Sequence, residues 1–307
     1  MSVARSDFLR NLDGIVQAID LEAVAKGALG TGIPPSLFVL RRGILVTGLI
    51  ALETFVRERT VEALGTLERW PRSYEELPEK LRTAARLNAL SYLQSFARML
   101  KRQDDDYEYE LKAEIAKMAS GDGTVLRFTK FVSGDYTGNL SDAGLKELLS
   151  NLQVENCWNT FRVFAGHAGI GVPSVQEIVK STVRKRHRSA HSSTYSPTAT
   201  EIVELPLNLL CIALCFDVSI SASMEQALAD PARWARGELA WSDAVNLYFT
   251  EPHHGRFRLL KPGATRAMRI VDTFADAKAF VPRPVVGSIA VLVEHDTSGR
   301  PVVWAIL

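Results

Sequence analysis

The chain has 307 residues, of which 47% are hydrophobic and 23% are charged, and its formal net charge is +1. This composition is typical of a folded soluble protein with one large core or two smaller domains. The near-zero charge excludes a polycation, so any affinity for nucleic acid must come from a local basic patch.

The first third of the chain shows the apolar spacing of α-helices. One helix is predicted over residues 6–29, and a second is predicted from the candidate N-cap Ser36 to about residue 67. Residues 44–56 of the second helix are apolar on most faces, which indicates a position at the centre of a helical bundle. Further helices are predicted over residues 79–102 and 107–119.

The middle of the chain continues the helical pattern with one interruption. Residues 125–132 form a short β-like piece between glycines, and helices are predicted over 141–152, 155–167, 174–189 and 198–219. The acidic run 104–106 is more typical of a solvated helix start than of a metal site. Within the last helix, residues 205–220 are apolar nearly all round, so this segment must be covered on every side, either at the centre of its own fold or in part by a partner chain.

Two apolar runs, 43–52 and 205–220, resemble membrane spans only superficially. The first is too short and leads directly into Glu53, and the second contains Pro206, Asn208 and Asp217. Both are therefore predicted to be buried helices, with no membrane contact. The odd number of cysteines, three, and the lack of a hydrophobic signal core near residue 1 favour a cytoplasmic protein.

The character of the sequence changes near residue 240. Strands are predicted over residues 244–251, 256–260, 288–295 and 301–307, with a helix over 265–280 between the two pairs. The predicted fold is mainly α, with a small α+β (ββαββ) domain at the C-terminal end. The chain is predicted to divide into an N-terminal helix or extension over 1–35, a helical domain over 36–229 and the α+β domain over 240–307.

The strongest basic cluster lies in residues 183–188 and is followed by His191. Arg186 and His191 are five residues apart, which on a continuous helix is about 140° in azimuth, so they do not share a helix face. We expect them to converge if the helix ends between them, or if two chains meet. Ser192 and Pro197 favour such an ending.

Arginine and histidine together suit metal-free cleavage of RNA. A neutral His191 would take the proton of a ribose 2′-hydroxyl, and Arg186 would bind the phosphate oxygens as charge builds. Four neighbours are predicted to hold the strand by its phosphates without reading sequence: Arg184, Lys185, Arg188 and Ser192.

Two other interpretations of these residue types exist. A second Arg-x4-His spacing, Arg162 to His167, lies in an apolar stretch and is predicted to be a packed helix end. His187 and His191 have the i, i+4 spacing of a zinc-binding helix, but no third ligand stands nearby in the sequence, so no metal site is predicted.

Three stretches together resemble the HEPN superfamily, and most closely its RiboL-PSP-HEPN branch. The first is the helix 41–56 with its embedded Glu53, the second is residues 186–191, and the third is the apolar helix 198–219. The likeness spans roughly residues 36–224. His187 stands in a polar position that is often Asn or Asp in the family, and histidine there is a departure.

The resemblance implies a HEPN-like helical bundle that forms a homodimer, with two Arg-x4-His segments facing one RNA cleft. It implies a metal-independent endoribonuclease, without a cofactor, that leaves a 2′,3′-cyclic phosphate in phage defence or toxin-like growth arrest. Arg186 and His191 take the catalytic positions, with His187 beside them and Glu53 orienting one of them. An antitoxin or other regulatory partner is a further expectation, and the alternative is a non-catalytic RNA-binding or scaffold module.

Overall fold

The computed structural model describes residues 2–28, 35–103, 107–122, 126–135 and 140–307. The protein is mostly helical, with a small mixed sheet of five strands near its C-terminal end. The larger helices are α1 (Val3–Ala28), α2 (Pro35–Thr66), α4 (Ala89–Gln103), α5 (Tyr107–Met118), α6 (Asp142–Asn151), α7 (Cys157–His167), α8 (Val175–His191) and α10 (Leu205–Ala229). The short helices are α3 (Glu79–Thr83), α9 (Ala199–Val203), α11 (Pro231–Ala235) and α12 (Phe274–Phe280).

Helices α1 and α2 form an antiparallel pair. Near one end, the amide of Ala4 donates to Glu62 Oε1 at 2.9 Å, and near the other end Arg41 forms a buried ion pair with Glu22. These contacts join the start of α1 to the end of α2 and the end of α1 to the start of α2. The prediction that the middle of α2 is buried is confirmed for one broad face, whereas Ile50 is 47% exposed.

Helix α10 lies at the centre of the molecule. Leu209, Phe216 and Ile220 are fully buried, as is the polar side chain of Asp217. The segments Pro35–Arg69 and Ala199–Ala229 are each long and apolar enough to cross a membrane by length and composition. Most of the second segment is buried inside the protein, as the core helix of a soluble protein is. Length and composition by themselves are weak evidence that either segment spans a membrane.

The five strands are β1 (Val245–His253), β2 (Arg256–Leu260), β3 (Arg269–Val271), β4 (Ile289–His295) and β5 (Pro301–Ile306). Their order in the sheet is β3-β2-β1-β4-β5, with β1 and β4 parallel and the other neighbours antiparallel. The α+β character and the four predicted strands are confirmed. The predicted helix over 265–280 is wrong in its first part, because β3 occupies Arg269–Val271 and α12 begins only at Phe274.

The sheet and the helices share one hydrophobic core. Trp304 of β5 lies 6.2 Å from the Phe8 ring of α1 and 6.3 Å from the Phe55 ring of α2, measured between ring centroids. Phe249 and Val291 of the sheet belong to the same buried cluster as the helices. The helical and α+β parts therefore pack as neighbours with a continuous apolar interior, and the domain boundaries stay a prediction.

Several predicted boundaries differ in the structure. The described part of the β-like piece, 126–132, contains no strand, and a 3-10 turn over Lys130–Ser133 occupies its end; Val125 lies outside the described residues. The run 104–106 also lies outside them. The predicted helix 198–219 divides into α9 and α10 at Glu204, and α10 continues to Ala229. A π-helical turn, Ala84–Asn88, joins α3 to α4.

Candidate functional site

Helix α8 carries most of the predicted site, and its position follows from its apolar side. Ser174 caps its first turn, its Oγ accepting the Glu177 amide at 3.2 Å. Val175, Val179 and Thr182 are buried, and α8 packs against α2 and α10. The remaining faces of α8 carry the charged residues.

Helix α8 does not end between Arg186 and His191, so that expectation is wrong. The helix runs to His191, and the amide of its C-cap, Ser192, donates to the Arg188 carbonyl at 2.9 Å. Ser189 in the last turn is buried, so this turn still packs against the body of the protein. Within one chain Arg186 and His191 therefore point in directions about 140° apart.

One exposed stripe runs along α8. Arg184, His187 and His191 are exposed and lie at spacings of three and four residues, as does Lys180 one turn before them. The rings of His187 and His191 lie 4.7 Å apart between centroids. Two imidazoles and a guanidinium thus share one solvent-facing side of α8.

Arg186 faces a cleft beside this stripe. The cleft has a volume of about 360 Å³. Its lining comes from three helices and the turn before one of them: Leu49, Ser141, Asp142, Lys180, Val183, Arg184, Arg186 and His187. Arg186 Nε is buried and has no hydrogen-bond partner among the described residues. The structure therefore groups Arg186 with His187, whereas His191 lies one turn beyond the cleft.

Lys185 and Arg188 lie on the other side of α8 and contact the protein itself. Lys185 Nζ is 3.7 Å from Glu201 Oε1, and the Arg188 guanidinium lies over the Tyr195 ring at 4.1 Å from its centroid. The Tyr195 hydroxyl donates to Glu201 at 3.1 Å. These two predicted RNA-binding cations are thus partly satisfied within the chain, unlike Arg184.

The loop after α8 is held by two arginines of α2. Arg42 Nε donates to the Tyr195 carbonyl at 2.7 Å and its Nη2 donates to the Ser193 carbonyl, while Arg41 Nη1 reaches the Pro197 carbonyl at 3.1 Å. Ser192 Oγ lies 3.1 Å from Thr194 Oγ1. The last turn of α8 and the predicted phosphate ligand Ser192 therefore stand on a fixed loop.

Tyr195 and Glu201 are two titratable groups of this loop whose pKa values are shifted. Burial and the adjacent Glu201 carboxylate raise the pKa of Tyr195 to about 12. Against the effect of burial, hydrogen bonds from the Thr198 amide and the Tyr195 hydroxyl, with nearby Lys185, hold the pKa of Glu201 below its usual value. The phenol thus stays neutral and the carboxylate stays charged across the physiological range.

Glu53 is placed near the cleft but does not contact the predicted catalytic pair. Its side chain is buried, and its Oε1 accepts the Leu140 amide at 2.6 Å. Neither Arg186 nor His191 is bonded to it in the part of the chain that the structure describes. Glu53 instead fixes the segment that leads into Ser141, the N-cap of α6 and a lining residue of the cleft.

The second Arg-x4-His spacing lies at a helix end, as predicted. Helix α7 ends at His167, and Gly169, at φ +87°, turns the chain so closely past His295 that a Cβ there would lie 3.2 Å from His295 Nε2. Arg162 and His167 themselves are exposed rather than packed. No basic stripe accompanies them on α7.

Most of the residues that support the candidate site could not be identified from the sequence. The pattern of Thr198 and Glu201 is a capping box, which the structure shows in full, but nothing in the sequence joins it to Lys185 or Tyr195. Arg42 and Asp142 are likewise brought to the site only by packing, whereas Lys180 lies on α8 itself, four residues before Arg184. Among the described residues, no group of three or more His, Cys, Asp or Glu is arranged to hold a metal ion.

No family model, curated protein or solved structure matches the chain.

Proposed function

We propose that the protein is a metal-independent endoribonuclease of HEPN type that acts as a homodimer. The observation that carries the proposal is the exposed stripe of Arg184, His187 and His191 beside the buried, unpartnered Nε of Arg186. A permanent cation for phosphate and imidazoles that exchange protons near neutral pH are the groups that this cleavage needs.

The chemistry follows from these groups. Neutral His191 accepts the proton of a ribose 2′-hydroxyl, and the 2′-oxygen attacks the adjacent phosphorus as the bond to the 5′-oxygen breaks. The leaving 5′-oxygen takes a proton from an imidazolium, for which His187, 4.7 Å from His191, is the nearest candidate. Arg186 stabilises the non-bridging oxygens, and the product carries a 2′,3′-cyclic phosphate.

The dimer is part of the proposal because one chain does not complete the site. Arg186 faces the cleft and His191 projects about 140° away on the same helix. A second copy that brings its α8 against the first would place the arginine of one chain beside the histidine of the other. We further propose that the protein acts in the cytoplasm, in phage defence or growth arrest. An antitoxin or another regulatory partner would control its activity.

A specific observation favours the alternative, a non-catalytic RNA-binding or scaffold module with this helical bundle. Lys185 and Arg188 contact Glu201 and Tyr195, so two of the cations predicted to hold RNA support the protein's own loop. A helix whose charges stabilise a bundle does not need to cut a substrate.

The deciding experiment compares wild-type protein with His191→Ala on total RNA in EDTA, followed by end-group analysis. Cleavage by wild type alone, with cyclic-phosphate ends, is the expected result. The matched control is His167→Ala, which removes the histidine of the second Arg-x4-His and leaves cleavage intact. If neither wild type nor variant cleaves, the scaffold function is favoured.

A further inference from the structure

We infer that the cleft between α2, α6 and α8 binds a backbone phosphate of single-stranded RNA next to the one that is cut. This inference deepens the proposed function and rests on it. It reassigns the RNA path to one side of α8, so that Lys180 and Arg184 hold the strand and Lys185 and Arg188 do not.

The charge of the cleft favours an anion. Three cationic side chains line it, those of Lys180, Arg184 and Arg186, against the one carboxylate of Asp142. Asp142 is itself engaged, accepting from Gln176 Nε2 at 2.9 Å and lying 4.0 Å from Lys180 Nζ. An excess of positive charge remains at the mouth of the cleft.

Arg186 is the most enclosed of the three cations that line the cleft. Its Nε is buried with no acceptor among the described residues, and a buried donor without a partner is unfavourable. A guanidinium presents its donors in a planar fork that matches two phosphate oxygens. Because Nε itself is enclosed, a phosphate in the cleft would be bound by the Nη end of the Arg186 side chain, which lines the cleft.

The start of α6 adds a second source of positive potential. Ser141 and Asp142, the N-cap and first residue of this helix, both line the cleft. The Ser141 hydroxyl already accepts the Gly144 amide at 3.0 Å, and the helix dipole places partial positive charge at this end. Here the helix end acts together with Arg184 and Arg186, so the site does not depend on it alone.

The shape of the cleft favours a nucleotide of a chain over a free ion. Its volume of about 360 Å³ lies in the range of small-ligand pockets, and the partly exposed Val183 adds an apolar side chain to its lining. The exposed stripe continues from Arg184 to His191, seven residues or about 10 Å along the helix axis. This offset places the cleft beside the cutting position and not at it.

The cations on the opposite side of α8 differ from those at the cleft in their contacts within the protein. Lys185 is paired with Glu201, and the Arg188 guanidinium is stacked on Tyr195, so binding a phosphate there would compete with contacts the protein already makes. Lys180 is also paired, with Glu177 Oε1 at 3.0 Å and Asp142 Oδ2 at 4.0 Å, but its side chain is 38% exposed and lines the cleft, whereas that of Lys185 is 21% exposed. Arg184 has no ion pair among the described residues.

The test measures binding separately from cleavage. A fluorescent 2′-O-methyl oligoribonucleotide, which lacks the attacking hydroxyl, is titrated by anisotropy at several salt concentrations. Lys180→Gln/Arg184→Gln is compared with wild type and with Arg162→Gln/Lys112→Gln, which removes two exposed cations elsewhere. Both changes in each variant are at the surface, and thermal unfolding checks that the folds match.

The expected result is at least about a tenfold loss of affinity for the cleft variant and a salt slope smaller in magnitude by about 1.4, against little change in the control. Lys185→Gln/Arg188→Gln loses less. An equal or larger loss in that variant, or an unchanged salt slope in the cleft variant, would overturn the inference. Inorganic pyrophosphate that binds the cleft as tightly as the oligonucleotide would overturn the assignment to RNA.

The outcome is independent of whether the protein is a nuclease. If wild type fails to cleave RNA but the cleft variant loses binding, the proposed activity fails and the phosphate site stands. If wild type cleaves and the cleft variant binds as wild type does, the activity stands and the phosphate site fails.

Discussion

Arg186 and His191 lie on one uninterrupted helix, with Arg186 lining the cleft and His191 exposed one turn beyond it. Their separation of five residues turns the two side chains about 140° apart. This relationship makes the proposed activity depend on a second copy of the chain, because no bend brings the pair together within one.

Mixing two inactive variants tests that dependence. Arg186→Ala and His191→Ala, each inactive alone, should regain about a quarter of wild-type cleavage when mixed in equal amounts and allowed to exchange, since half of the dimers are mixed and each has one intact composite site. Specific activity after subunit exchange is the measurement. A mixture that stays inactive while forming mixed dimers would place each site within one chain.

The buried carboxylate of Asp217 links four elements and should dominate stability. It accepts from Arg5 Nε at 2.5 Å, Arg59 Nε at 2.6 Å and Trp304 Nε1 at 2.8 Å. Asp217→Asn leaves two arginines without their counter-charge and should cost about 3–5 kcal/mol of unfolding free energy. The partly exposed Asp7→Asn is the control, with a cost of at most about 0.5 kcal/mol in urea unfolding.

The same carboxylate should make the protein sensitive to acid. Burial alone would raise the pKa of Asp217, but the charges of Arg59 and Arg5 hold it below its usual value. Its contribution is therefore present above the unfolded pKa of about 3.9 and is lost as the pH falls through the lower folded pKa. Unfolding free energies of wild type and Asp217→Asn should converge as the pH is lowered; parallel curves would contradict this.

Tyr195 should produce the opposite dependence at alkaline pH. Its folded pKa of about 12 lies above an unfolded value of about 10, so the stability that it contributes is present below pH 10 and is lost as the pH rises toward 12. Tyr195→Phe removes this slope. Denaturation of both proteins across this range should show a steeper decline for wild type, and equal slopes would place the phenol in an ordinary environment.

Two glycines of α2 should respond in opposite directions. A Cβ at Gly48 would lie 2.9 Å from Leu205 Cδ2, whereas a Cβ at Gly43 would meet nothing within 4 Å. Gly48→Val should cost about 1–3 kcal/mol by overpacking the contact between α2 and α10. Gly43→Ala should stabilise the exposed helix by about 0.5–1 kcal/mol, and thermal unfolding of the pair measures both.

Local sequence patterns determined which segments are helices and strands. The apolar spacing of α1, the all-round apolar surface of α10 and the four predicted strands each depend on neighbouring residues, and each is present in the structure. The same patterns did not predict β3, because strand formation there depends on packing against another strand. That strand forms because Arg258 and Ile270 pair across the sheet, a contact between residues distant in sequence.

The sequence by itself determined the chemistry available on α8, an arginine and histidines in a basic cluster. Only the tertiary structure decided which of these groups face a common cleft, which are bound internally by Glu201 and Tyr195, and where α8 ends. The physical reason is that a helix end and a charge partner are set by long-range contacts, such as Arg42 on the Tyr195 carbonyl. Those contacts leave Arg186 and His187 together at the cleft and His191 exposed beyond it.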